Sequence, residues 1–259
     1  MSPSFTAHNI RLDDGTQTLP ERGWTLDQGP HVSVVRWMSQ MLFPHGPGGQ
    51  RIIDLGCLEG GYATEFARLG FDSTGLEVRK SNFENCLYIK DRVALDNLHF
   101  VNDDAWNIGH YGVFDIIFCV GLYYHIDRVT DFMHMLARHT RRAILLDTHF
   151  APEDDASPSV ATYNLSPLVT HEGLPGRWFH EHELEADNPA LDALKWASWE
   201  NKTSFWPTKP ALLTLLRQAG FDMVFESFNQ FGPDLVGPMG ADGYYTTHTR
   251  AVFLGFKTP

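Results

Sequence analysis

Residues 51–60, from Arg51 to Gly60, read RIIDLGCLEG. Ile52, Ile53 and Leu55 form a short β-type run that delivers the chain to Gly56, and an amphipathic helix pattern begins just after Gly60. This is a strand, a glycine-containing turn and a helix. In such a unit the glycines let the backbone turn tightly and approach a ligand at the carboxyl end of a parallel strand. The next strand-like run, Ser73–Val78, carries Glu77 near its end, where a carboxylate can accept hydrogen bonds from both hydroxyls of a ribose. Together the two runs point to a nucleoside-containing cofactor.

Outward from this stretch the pattern alternates. Met1–Pro30 contains no clear element, and Val32–Leu42 then places Val34, Val35, Met38, Met41 and Leu42 on one helical face before Pro44 and HGPGG end it. After the first strand come a helix over Gly61–Leu69, the strand Ser73–Val78, a helix from Lys80 to about Leu95, and a short strand Leu98–Val101. Phe114–Val120 is a continuous apolar run, as expected of a strand covered on both faces. Val129, Phe132, Met133 and Leu136 mark another helix, and Ala143–Leu146 a strand leading into Asp147-Thr148-His149. Strands and helices at this spacing predict right-handed βαβ units and a parallel sheet covered by helices on both faces.

The rhythm breaks between Ala151 and Phe205, and the aromatic content there (Tyr163, Trp178, Phe179, Trp196, Trp199, Phe205) predicts an ordered lid. A helix over Thr208–Ala219, with Thr208 as N-cap, and two strands, Phe221–Phe228 and Arg250–Phe256, follow. The expected organisation is an N-terminal segment and helix acting as a lid (1–45), a cofactor-binding core (46–150), a cap over the substrate site (151–206) and a C-terminal part completing the sheet (207–259).

Composition narrows the function classes. The 259 residues are 43% hydrophobic, enough for a sizeable core, and the formal net charge of −12 argues against a broad nucleic-acid-binding surface. Three cysteines without a CxxC pair indicate neither a disulfide framework nor a cysteine zinc site. The first residues lack the apolar core of a secretory signal and no apolar run approaches the ~20 residues of a membrane span, so a soluble, cytoplasmic protein is expected.

These residues resemble class I S-adenosylmethionine-dependent methyltransferases over roughly Ile52–Lys257, the insertion excluded. Asp54, Gly56, Cys57 and Gly60 match the family's first motif, and Gly75-Leu76-Glu77, followed by Val78, its acidic ribose-binding strand end. Asp103-Asp104-Ala105 stands where the family holds the adenine. FDIIFCVG, ending in Val120 and Gly121, matches the fourth-strand motif beside the methionine moiety. The resemblance implies S-adenosylmethionine as cofactor, S-adenosylhomocysteine as product, and a doubly wound, mostly parallel seven-stranded sheet whose last strand is antiparallel.

One departure is that the second glycine of the usual GxGxG is Leu58, followed by Glu59. In the competing dinucleotide dehydrogenases this loop seats a pyrophosphate. Glu59 there would repel a diphosphate but could help hold the positively charged methionine end. FDIIFCVGLYYH, Phe114–His125, is also similar to a subgroup of wobble-uridine tRNA-modifying enzymes. A non-catalytic S-adenosylmethionine-binding role is a further alternative.

Transfer to a hydroxyl benefits from a general base. His125, just after the fourth-strand motif, is the first candidate, with helix capping or packing as its alternative role. His149 and Asp147 are two apart at a strand end and share a face. They form either a base with an orienting carboxylate, two ligands of a divalent metal such as magnesium, or a solvated strand end. His180-Glu181-His182-Glu183 lacks the i, i+4 spacing of a helical zinc site and reads as a solvated charged run. Tyr123, Tyr124, Trp178 and Trp206 either line an acceptor pocket or pack in the core. Trp24 and His31 are assigned to the N-terminal lid. The expected reaction is methylation of a small or medium polar acceptor, at a hydroxyl of a sugar or natural product.

Overall fold

The computed structural model describes residues 4–185, 188–228 and 235–258. The chain forms two compact units, Met1–Phe118 and Cys119–Pro259. The first contains α1 (Pro30–Leu42), β1 (Arg51–Leu55), α2 (Gly61–Arg68), β2 (Asp72–Glu77), α3 (Lys80–Lys90), β3 (Leu98–Asn102) and most of β4 (Phe114–Val120). The second contains α4 (Val129–His139), β5 (Thr140–His149), α5 (Pro158–Thr162), β6 (Val169–His171), β7 (Leu174–His180), β8 (Thr203–Pro207), α6 (Lys209–Gln218), β9 (Met223–Ser227), α7 (Tyr244–Thr247) and β10 (Arg250–Phe256).

The main sheet has seven strands in the order β3-β2-β1-β4-β5-β10-β9. β1 runs parallel to β2 and β4, whereas β10 is antiparallel to both β5 and β9. This is the doubly wound sheet with a reversed last strand that the family resemblance implies. The strand order reverses at β1 and β4, and open α/β sheets bind ligands outside the carboxyl ends of strands at such a switch. Ile52, Ile53 and Leu55 of β1 and Phe114, Ile116, Ile117 and Phe118 of β4 are wholly buried, as side chains covered on both faces must be.

The segment before α1, in which the sequence shows no element, forms 3₁₀ turns at Pro20–Arg22 and Leu26–Gln28. Its Ile10 and Leu12 are buried against Ala63, Ala67 and Ile89, so this part of the expected lid is core. The same segment shortens α3, which ends at Lys90 rather than near Leu95. Asp13 accepts a hydrogen bond from Ala94 N–H at 2.6 Å and donates its own N–H to the Arg92 carbonyl, pulling those residues out of helical geometry.

The stretch after β5 is ordered as a three-stranded antiparallel sheet, β6-β7-β8, around buried Phe205 and Trp206. Pro175 and Gly176 within β7 and the three-residue length of β6 hide the strand pattern in the sequence, and β8 runs to Pro207. Compactness divides the chain within β4 and not at residues 45, 150 or 206. Thr208 occupies the N-cap position of α6, but its buried hydroxyl has no partner among the described residues. Extended backbone at Thr208 and Pro210 in the first turn start that helix instead.

Candidate active site

In the first unit, β1 leads into a loop in which every second residue has a left-handed backbone: Gly56 (φ +68°), Leu58 (φ +52°) and Gly60 (φ +77°). Leucine at φ +52° costs about 1–2 kcal/mol relative to glycine. The loop holds it there by donating Leu58 N–H to Glu77 Oε2 at 2.9 Å, while its carbonyl accepts from Cys86 Sγ at 3.4 Å. At Gly60 no side chain fits, because a Cβ would lie 2.6 Å from the Phe100 ring. Gly60→Ala is therefore expected to destabilise the protein by about 2–5 kcal/mol, combining the φ penalty with overpacking, as read by urea unfolding.

Two carboxylates converge behind this loop. Glu77 is buried and also accepts Arg79 N–H at 2.8 Å; burial raises its pKa. Asp54 is 2% exposed, and its Oδ2 has no hydrogen-bond partner among the described residues. Burial pushes its pKa up to about 8, against the pull of the Ala63 N–H and with a further rise from Glu77. An orphaned buried acid is costly unless a donor or cation arrives. It therefore fits the ammonium of an amino-acid-bearing cofactor such as S-adenosylmethionine. Cys57 Sγ lies 3.8 Å from Cys86 Sγ, both as buried free thiols.

After β3, Asp103 accepts the Tyr111 hydroxyl at 2.6 Å and Asn107 Nδ2 at 2.7 Å, bonds that hold its carboxyl below the usual range. Asp104 caps the 3₁₀ turn Ala105–Tyr111 through Trp106 N–H at 2.8 Å, with its pKa raised by burial, and Ala105 is buried. Val78, after β2, is tied through its carbonyl to Asn102 Nδ2 at 3.0 Å.

Glu59 has a different role from the expected one. Its buried carboxylate accepts the Thr6 hydroxyl at 2.8 Å and the N–H groups of Ala7 at 3.1 Å and His8 at 2.9 Å, so it anchors the N-terminal segment. His8 Nδ1 in turn accepts the Gly61 N–H at 3.2 Å, with its pKa pushed down to about 4 by burial. Of the residues assigned to the N-terminal lid, His31 meets the Tyr62 hydroxyl at 3.2 Å and Trp24 is 42% exposed.

The second unit gathers the catalytic candidates. Gly121, after Val120 at the end of β4, has φ +76° and donates its N–H to the Asp147 carbonyl at 3.1 Å. The 3₁₀ turn Tyr123–His125 follows, and His125 Nδ1 lies 2.8 Å from Glu181 Oε1. Glu181, its side chain 1% exposed, also accepts Ser198 N–H at 3.0 Å and the Ser204 hydroxyl. Burial alone would raise the Glu181 carboxyl; the bonds from His125, Ser204 and Ser198 reverse this and hold it below its ordinary value. Asn201 Nδ2 fixes the His125 carbonyl at 2.9 Å.

The run 180–183 is thus solvated only at its ends, where His180 and Glu183 pair with each other at 3.3 Å. Glu181 and His182 turn inward, His182 meeting the Ser198 carbonyl at 3.2 Å. Spacing could not reveal Glu181, because its partner is 56 residues away.

His149 stacks on Trp206 (centroids 4.6 Å, 13°), with Tyr124 and Tyr163 edge-on at 4.7 and 5.2 Å. Its buried Nδ1 has no hydrogen-bond partner among the described residues. Burial, reinforced by the Arg250 charge, pushes its pKa down to about 4, so it is neutral at pH 7. Asp147 accepts Arg250 Nε at 2.7 Å. Among the described residues no group of three His, Cys, Asp or Glu side chains is placed to hold a metal. Tyr123 is core, its hydroxyl donating to the Val129 carbonyl at 2.9 Å, and Trp178 packs on His171 and Phe205. Trp206, also buried, donates Nε1–H to the Tyr124 carbonyl at 2.9 Å.

The neutral histidines make a pH prediction. As pH falls below 6.5 the unfolded chain binds protons that folded His8 and His149 refuse until about pH 4. Their contribution is present in full above pH 6.5 and is lost on the way down to about pH 4, up to roughly 3 kcal/mol each. The difference in unfolding free energy between wild type and His149→Gln, in which other titrating groups cancel, is expected to shrink over that window.

A family model described as a methyltransferase domain matches residues 33–226. No curated protein matches the sequence. Among solved structures, the N-terminal domain of EvdMO1 with S-adenosylhomocysteine bound superposes with a TM-score of 0.61 at 22% identity, covering 89% of this chain and 82% of that one. The chain covers 41% of the longer EvdMO1 structure. The magnesium protoporphyrin IX methyltransferase ChlM from Synechocystis PCC 6803 with bound S-adenosylhomocysteine gives 0.52 at 14% identity, covering 88% and 81%. The 1,6-didemethyltoxoflavin-N1-methyltransferase of Burkholderia thailandensis, with 1,6-didemethyltoxoflavin and S-adenosylhomocysteine bound, gives 0.53 at 13%, covering 92% and 82%.

Proposed function

Because the chain belongs to the methyltransferase domain family and is a class I S-adenosylmethionine-dependent methyltransferase, we propose that it methylates a hydroxyl of a small polar molecule with His125 as general base. The observation that supports this reading is the His125–Glu181 pair at 2.8 Å. A carboxylate held ionised accepts the Nδ1–H and leaves Nε2 as the basic nitrogen. Three further bonds, from Ser198 and Ser204 to Glu181 and from Asn201 to the His125 backbone, fix the orientation of the imidazole.

S-adenosylmethionine supplies an electrophilic methyl on a sulfonium whose leaving group is a neutral thioether, so the residues need not provide an acid. His125 Nε2 takes the hydroxyl proton as the acceptor oxygen attacks, and Glu181 stabilises the imidazolium that results. We assign the cofactor to Asp54, Gly56, Cys57, Leu58, Gly60, Glu77, Val78, Asp103, Asp104, Ala105, Val120 and Gly121. In this assignment Asp54 Oδ2 meets the ammonium, the remaining lone pairs of Glu77 the ribose, and Asp103–Ala105 the adenine.

A small acceptor is supported by the heterocycle bound in the Burkholderia neighbour and by the EvdMO1 domain structure determined in the presence of D-fucose. The test is a screen of hydroxylated small molecules with S-adenosylmethionine, read by mass spectrometry and by NMR of the methylated atom. O-methyl products are expected. Products methylated only on nitrogen or carbon would overturn the reading.

A further inference from the structure

We propose that Arg250 and Tyr124 bind a carboxylate of the acceptor, making the substrate a hydroxy acid rather than a neutral polyol; this rests on the hydroxyl-transfer reading above. Arg250 opens β10 directly opposite His149 of β5, so its side chain shares one sheet face with His149 and, two residues back, Asp147. Asp147, its side chain 7% exposed, takes the Nε–H at 2.7 Å and fixes one edge of the guanidinium. The guanidinium carbon lies 5.4 Å from the centre of the Tyr124 ring. A Cβ placed on Gly121 would come 3.9 Å from Arg250 Nη2 and 3.7 Å from the Tyr124 hydroxyl. Both polar groups therefore border the same space, beside a residue with no side chain to fill it.

A purely structural ion pair would use the arginine fully. Here, among the described residues, the Nε bond is the one that the Arg250 side chain donates to a carboxylate, the Tyr124 hydroxyl is a second side-chain partner, and the side chain remains 35% exposed. The Nη1/Nη2 edge is the part of the fork whose geometry matches two coplanar oxygens. Polyol hydroxyls would accept from that edge only as neutral oxygens and leave its charge uncompensated, whereas a carboxylate would offer two coplanar charged oxygens and neutralise it. His149, on the same face, keeps a buried Nδ1 with no hydrogen-bond partner among the described residues. Arg250 would thus select the acceptor, while His125 handles its proton.

The test uses the full chain saturated with S-adenosylhomocysteine and titrated with benzoate, benzamide and inorganic phosphate, followed by ligand-observed NMR. Benzoate is expected to bind about tenfold or more tightly than benzamide, as charge-assisted bidentate bonding implies. Arg250→Lys, which keeps the charge but loses the fork, should erase most of that preference with unchanged S-adenosylhomocysteine affinity. The double variant Asp147→Asn/Arg250→Gln should do the same without leaving Asp147 buried and unpaired. Equal binding of acid and amide, binding of neither, a preference that survives Arg250→Lys, or phosphate binding more tightly than benzoate would each overturn the proposal. O-methylation of neutral acceptors alone would overturn it while sparing the methyl-transfer reading; absence of any O-methyl product would overturn the latter.

Discussion

Replacing His125 with alanine is expected to lower kcat by about 10²–10⁴-fold, the usual worth of a positioned general base. The Kd for S-adenosylhomocysteine should stay within about twofold, because removing a base changes proton transfer and not cofactor binding. Glu181→Gln is expected to lose less, about 10–100-fold, as for other residues that orient a functional imidazole. Glutamine can still occupy the place between Ser198, Ser204 and His125, but without the charge that stabilises the imidazolium. Steady-state kinetics on an acceptor found by the screen would check both. A kcat for His125→Ala within a few fold of wild type would remove His125 from the mechanism and leave the pair with Glu181 a packing arrangement.

The second large effect is expected at Asp54. With a pKa near 8 its carboxyl is mostly protonated at pH 7, and the arrival of a cationic amine favours the ionised form. Binding of S-adenosylhomocysteine at pH 7 should therefore release most of a proton per site. Calorimetry in buffers of different ionisation enthalpy measures this release directly. Affinity should rise with pH from the acid side and level off near pH 8. Asp54→Asn should abolish the proton release and raise Kd about 10–100-fold, the range of a hydrogen bond to a charged group. Zero proton release in the wild type, together with unaltered affinity in Asp54→Asn, would place the ammonium elsewhere.

The sign for stability runs the other way. Asp54 titrates near 3.8 as its ordinary value and near 8 when folded, so its contribution without cofactor is full below pH 3.8 and is lost as pH rises to about 8. The cofactor's positive end removes that loss. Stabilisation of the folded chain by S-adenosylhomocysteine should consequently be larger at pH 8 than at pH 5, which thermal unfolding at the same ligand concentration would show.

Much of the site's scaffold was legible because it depends on neighbours in the chain. The strands Arg51–Leu55, Phe114–Val120 and Arg250–Phe256 have the bounds that their apolar runs imply, since burial on both faces demands continuous hydrophobicity. Leu58 shows the limit of reading by residue type. It replaces a glycine yet keeps the left-handed backbone, because Glu77 and Cys86 hold its N–H and carbonyl.

The sequence alone determined the parallel sheet, its glycine loop after β1, the acid ending β2 and the position of His125 in the turn after β4. Those follow from hydrophobic period and turn chemistry, which act over a few residues. Only the tertiary structure decided which charges are buried and with what. Glu181 meets His125 across 56 residues and Arg250 meets Asp147 across 103, while Glu59 captures amides more than 50 residues upstream. A string such as His-Glu-His-Glu is the same whether water or an imidazole solvates it. The difference lies in the partners that β7, β8 and the turn after β4 bring to within 3 Å, and hydrogen bonding acts over that distance, irrespective of separation along the chain.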